Sequence, residues 1–193
     1  MTENEFLLQD RLAKIKSTIE KYGEENFYIS FSGGKDSTVL SALVDMACPE
    51  NKIPRVYANT GIELNMIRDF VFDMQKTDDR VVIIKPSVPI KQMLEEEGYP
   101  FKSKIHAHVV DLYQSGSDNK MILGYTGKRP EHWHTRTCPK VLEYQFTKEN
   151  NLKISDKCCL RMKEEPLIKY AKENNKTTAI IGVMREEGDV EQT

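Results

Sequence analysis

The six residues Ser32-Gly33-Gly34-Lys35-Asp36-Ser37 carry the densest chemistry in the chain. Two adjacent glycines free the backbone of Cβ atoms, so N–H groups can approach a ligand closely. The residues that follow, Ser37 to Val44, have helical character. A helix opening here adds unpaired N–H donors and the positive end of its dipole, which suits phosphate. Lys35 supplies a mobile positive charge, and Ser32 and Ser37 supply hydroxyls. Asp36 repels bare phosphate, so it either serves a cation, magnesium being the expected one, or shapes the turn. All six residues are candidate phosphate contacts, with Lys35 and Asp36 the candidate catalytic pair. Two better-known loops are excluded. The Walker pattern needs Ser or Thr directly after Gly-Lys, where this chain has Asp36, and the dinucleotide fingerprint needs three spaced glycines.

The cysteines form a second candidate constellation. Cys158 and Cys159 are adjacent, and Cys138 lies upstream in His132-Trp133-His134-Thr135-Arg136-Thr137-Cys138-Pro139. Neighbouring thiolates can share a soft metal or a cluster but form a strained disulfide at best. Three fates stay open. Cys138, Cys158 and Cys159 hold an iron–sulfur cluster, or His132 or His134 completes a zinc site with them, or the thiols are small buried residues. Cys48, before Pro49, reads as structural. His106 and His108 receive no role, and Trp133 is either a packing anchor or a stacking surface for a base.

These groups need a scaffold, and the hydrophobic pattern predicts one. Leu8, Leu12, Ile15 and Ile19 recur at helical spacing, with Gly23 as the stop. Phe27 to Phe31 reads as a buried strand, Arg55 to Ala58 as a second and Arg80 to Lys85 as a third. Helices are expected at Leu64 to Met74 and Ile90 to Glu97, and near Glu164 to Asn174 before a last strand at Thr178 to Gly182. This alternation predicts an α/β fold: a doubly wound, mostly parallel sheet with helices on both faces. The stretch 101–157 breaks the rhythm and reads as an irregular insert, a kind of segment that is usually functional or mobile.

Length and charge bound the rest. The 193 residues are expected to form a single domain, 1–193, with that insert, and a strand so near the end suggests the amino-terminal part of a longer protein. A formal net charge of -2 gives no basic footprint for nucleic acid. No apolar run reaches membrane-spanning length, and the acidic start Met1-Thr2-Glu3-Asn4-Glu5 is unlike a signal peptide. A cytoplasmic location is therefore expected, with cysteines that are not a disulfide framework.

The loop resembles the pyrophosphate loop of the adenine-nucleotide alpha hydrolase superfamily. Within it the chain is similar to the phosphoadenosine phosphosulfate reductase family. The resemblance rests on Phe31 to Leu43, Asn59-Thr60-Gly61-Ile62-Glu63, Gly98-Tyr99-Pro100-Phe101-Lys102-Ser103-Lys104, Cys158-Cys159 and Gly182-Val183-Met184-Arg185-Glu186-Glu187. It implies adenosine lying across the carboxyl ends of the strands, with ATP or a sulfonucleotide held by the loop. Asn59, Thr60 and Gly61 then fall on the adenosine side, unless that segment is a plain turn, and Arg185 on the same rim reads as a substrate contact ahead of a surface charge. Lys102 and Lys104 read first as a solvated pair. Family members with an iron–sulfur cluster add a second cysteine pair downstream, and this chain has no cysteine after Cys159. Two chemistries are implied, together with a redox or sulfur-donor protein as partner. One is attack on the α-phosphate of ATP with release of pyrophosphate, for an acceptor the sequence does not name. The other is thiolate attack on a sulfonucleotide, leading to sulfite. Reductases of the family commonly have a degraded phosphate loop, and here Lys35 and Asp36 are both present, so adenylyl transfer is the preferred expectation. A nucleotide-binding module of a larger assembly is the non-enzymatic alternative.

Overall fold

A computed structural model describes residues 2–128 and 137–183. The chain divides into two compact units, one running to Ser87 and resuming at Glu164, the other Val88–Lys163. The elements are α1 (Glu3–Tyr22), β1 (Phe27–Ser30), α2 (Lys35–Ala47), β2 (Arg55–Ala58), α3 (Asn65–Thr77), β3 (Val81–Ile84), α4 (Ile90–Glu97), α5 (Lys104–Gln114), α6 (Lys120–Tyr125), α7 (Glu165–Glu173) and β4 (Thr178–Ile180).

In the first unit, α1 starts on a reciprocal cap. The Glu5 N–H donates to Thr2 Oγ1 and the Thr2 N–H to the Glu5 carboxylate, while Gly23 at φ 83° ends the helix. All four strands pair in parallel, in the order β3-β2-β1-β4. The chain steps outward from β1 through α2 and α3, then returns through α7 to place β4 on the other side of β1. The order therefore reverses at β1, the position where open α/β sheets form a crevice at their carboxyl ends.

Alternation along the strands sorts the two faces. Phe27, Ile29, Phe31, Tyr57 and Val81 join Ile19 of α1, Val44 of α2 and Val71 of α3 in one core. Burying each large apolar side chain contributes about 1.5–3 kcal/mol. Tyr28, one position out of phase, meets Tyr170 of α7 edge-on at 6.1 Å between ring centroids. Helices therefore cover both faces, as the pattern predicts.

At the amino end of β2, Arg55 is completely buried. Its Nε donates to Ser41 Oγ (3.1 Å) and its Nη1 to Asn51 Oδ1 (2.9 Å), and its Nη2 pairs with Asp45. Arg80 donates to the same Asp45 (2.8 Å) and to Asp78 (2.8 Å). This network ties α2 to the starts of β2 and β3, at the end of the sheet opposite the phosphate loop.

The second unit contains α4, α5 and α6 and a 3-10 helix at Lys140–Phe146. Its start at Val88 precedes the irregular stretch expected from Phe101, and that stretch includes helices. Ser103 caps α5 by accepting from the His106 N–H (3.2 Å). The core is Ala107, Val109, Val110, Ile122, Tyr125, Cys138, Phe146 and Ile154. His106 lies buried at its centre, with Nδ1 3.0 Å from Tyr125 Oη and Nε2 2.7 Å from Gln145 Oε1. A single bridge, Tyr99 to Ile154, joins the two ends of the unit, and Glu97 accepts from Lys157 (3.2 Å) and Arg161 (3.0 Å).

Candidate active site

The phosphate loop occupies the carboxyl end of β1. Gly33 adopts φ +71°, and a Cβ there would lie 2.7 Å from Val71 Cγ2 and 2.9 Å from Ile67 Cγ2. The loop is therefore braced from below by α3, with no room for a side chain. Gly34 is the N-cap of α2 and gives no side-chain cap. The first N–H groups of α2 have no intrahelical acceptor by construction, so they remain available to an anion.

The two serines hold the loop's shape. The Ser32 N–H donates to Ser37 Oγ (3.2 Å), the two hydroxyls lie 3.0 Å apart, and the Ser37 hydroxyl donates to the Gly34 carbonyl (3.1 Å). The Gly34 N–H lies 3.3 Å from Ser32 Oγ. Lys35 and Asp36 are exposed and form no ion pair among the described residues. Lys35 is free to reach a ligand. Asp36 lies in the first turn, where the helix dipole favours an anion, so it competes for the same field as a phosphate. One exposed carboxylate beside a phosphate cradle fits magnesium, which is commonly held by one or two carboxylates together with phosphates and water.

Gly182 supplies a wall beside the loop. A Cβ on Gly182, just past β4, would stand 3.1 Å from the Asp36 carbonyl carbon and oxygen. The backbone after β4 presses directly on the first turn of α2. A glycine closing a strand next to a helix start was the signal available for it.

The segment Asn59 to Glu63 follows β2. Thr60 N–H (3.1 Å), Thr60 Oγ1 (2.6 Å) and Gly61 N–H (3.0 Å) all donate to the Glu63 carboxylate. Gly61 N–H also lies 3.1 Å from Asn59 Oδ1. Burial opposes the charge on Glu63, but the Thr60 hydroxyl and surrounding N–H groups outweigh it and hold the pKa below the usual carboxylate range. The Thr60 and Gly61 donors of this expected adenosine segment are thus engaged by Glu63.

One further group lies beside this turn. Tyr57 is 2% exposed, and its Oη has no hydrogen-bond partner among the described residues. Leaving such a hydroxyl unpaired costs about 1–3 kcal/mol. Sequence alone gives no sign of it, because an aromatic in a strand reads as core.

The cysteines are placed differently from the cluster expectation. Among the described residues no three His, Cys, Asp or Glu side chains gather to hold a metal. Cys138 is packed in the second unit's apolar core, where burial and then Glu143 push its thiol pKa up. Burial and the neighbouring Cys159 raise that of Cys158 as well. His132, His134 and Arg185 lie outside the described residues.

No helix among the described residues is long and apolar enough to cross a membrane. A comparison with curated proteins returns no match. The family described as the phosphoadenosine phosphosulfate reductase domain matches residues 26–155, a span that begins just before β1, takes in the loop and the Asn59–Glu63 turn, and stops short of Cys158. With the loop, the parallel sheet and this match in agreement, the chain belongs to the phosphoadenosine phosphosulfate reductase domain family, a family of nucleotide-binding enzymes of sulfur metabolism.

Proposed function

We propose that the chain binds ATP at the carboxyl end of β1 and directs an acceptor to its α-phosphate. The observation that carries this reading is the intact loop: an uncapped helix start behind Gly34, a Gly33 that excludes side chains, and Lys35 exposed with no ion pair among the described residues. The acceptor's oxygen forms a bond to the α-phosphorus. The bond to the bridging oxygen breaks, and pyrophosphate leaves with the electron pair. The α2 N–H groups and Lys35 stabilise the charge that builds on the departing phosphates, an effect of preorganised donors and positioning. Asp36 would hold a magnesium ion, which when bound neutralises phosphate charge.

The family match favours a second reading, reduction of a sulfonucleotide to sulfite. One assay separates the two. Each nucleotide is offered with candidate acceptors or a thiol donor, and pyrophosphate and sulfite are measured side by side. Pyrophosphate that needs ATP and magnesium and collapses in Asp36→Ala is the expected outcome. Sulfite from the wild type with no pyrophosphate from ATP overturns it.

A further inference from the structure

Tyr57 has a position and a deficit that together ask for a ligand. It sits near the carboxyl end of β2, one residue before Ala58 and the turn that begins at Asn59. It shares its core with Val71, the same residue that braces Gly33 of the phosphate loop. Among the described residues, its Oη is the buried side-chain polar atom left without a partner. Buried hydroxyls in native proteins are almost always paired, so a persistent exception points to a group from outside the fold.

The nearby charges do not supply that partner. Glu63 acts on Tyr57 electrostatically, but its carboxylate already accepts from Thr60 and Gly61. Arg68 also acts on it, but its guanidinium is turned to Asp69 through Nε (3.1 Å) and Nη2 (2.8 Å). Burial and then Glu63 raise the phenol's pKa, so it stays a neutral donor through the physiological range. A donor that stays protonated wants an acceptor, and an adenine nucleotide carries them as ring nitrogens, ribose oxygens and phosphate oxygens.

We infer that the Tyr57 hydroxyl donates a hydrogen bond to the bound adenine nucleotide, making it a binding contact contributed by the sheet itself. This assignment rests on the nucleotide reading above. The turn that follows β2 is held by the Glu63 hydrogen bonds, the buried Thr60 and the Asn59 N–H to Ile84 carbonyl bond, while Ile62 is 67% exposed and Leu64 72%. The hydroxyl is buried in the ligand-free chain, so this contact requires the turn to move when nucleotide binds.

Tyr57→Phe removes one oxygen and keeps the ring, so it separates ligand contact from packing. The full chain is titrated with ATP by calorimetry, and its ligand-free melting temperature is measured. The ligand-free melting temperature of Tyr57→Phe should be unchanged or higher, because no internal hydrogen bond is lost, while ATP affinity falls about tenfold. A lower melting temperature with unchanged affinity means the hydroxyl has an internal partner and overturns the inference. So does unchanged affinity at unchanged stability. Lys35→Ala is the parallel control: if it abolishes binding while Tyr57→Phe does not, the nucleotide reading stands and the Tyr57 inference alone falls. If the wild type binds neither ATP nor phosphoadenosine phosphosulfate, both fall.

Discussion

Gly33 and Gly34 are adjacent but are held by different constraints. Gly33 combines a positive φ with contact to Val71 and Ile67 too close for any Cβ, whereas a Cβ on Gly34 would meet only Ser32 Oγ, at 3.3 Å. Gly33→Ala should therefore destabilise the protein by about 2 kcal/mol or more, by strain and overpacking together. Gly34→Ala should leave the melting temperature within a degree or two but weaken ATP binding, since its methyl group intrudes where phosphate approaches the N–H groups. Melting and calorimetric titration of both variants check this; equal melting temperatures would contradict the bracing. The sequence revealed which residues form the loop, because paired glycines ahead of a helix are a local signal. It could not reveal that Val71 and Ile67 press on Gly33, or that Gly182 abuts Asp36, because those contacts join residues far apart in the chain. Tyr57 was illegible for a related reason: its type fits a strand core, and only its surroundings show the unpaired hydroxyl.

Among the elements, α2, β2 and β3 are fastened by the Arg55–Asp45–Arg80–Asp78 network. Removing one partner of a buried ion pair strands the other charge, at a cost of about 3–5 kcal/mol in a fully buried pair. The Asp45 side chain is 38% exposed, so water replaces part of what is lost. Asp45→Ala is therefore expected to cost about 2 kcal/mol, read as a lower denaturant midpoint. The network also sets an acid limit. For Asp45 burial works against the charge, but hydrogen bonds from Arg80 and Asn51 and the charge of Arg55 outweigh it; for Asp78 the Arg80 hydrogen bond dominates. Both pKa values are lowered on folding, so this stability is fully present above the unfolded value, about 4, and is lost as pH falls through the folded values. The melting temperature should drop below about pH 4, and less steeply in Asp78→Asn, where one of the linked groups is gone. The strands and helices themselves were legible, since buried runs and helical spacing are short-range patterns. The helices α5 and α6 were not, because Gly, Ser, Asp and Asn around Ser115 to Asn119 read as loop and masked the apolar residues on either side.

The whole molecule has two separate cores, and each should respond to its own mutations. His106→Ala deletes a buried ring and leaves Tyr125 and Gln145 without a partner they now share. It should cost about 3 kcal/mol. Hydrogen exchange should show α5 and α6 losing protection, while β1 and β2 keep theirs; a uniform loss would mean the cores unfold as one. The pairing of Phe27 with Thr178 joins β1 to β4 across the whole of the second unit. During synthesis β1 can pair with β2 early, but its other edge stays open until β4 leaves the ribosome. At about 5–20 residues per second, that wait lasts roughly 8–30 s. Throughout it, a strand with unpaired N–H and carbonyl groups is a template for another nascent chain. Gly182 arrives with β4, so the first turn of α2 also lacks its contact over the same interval. Protection of that edge during synthesis therefore waits on β4 itself.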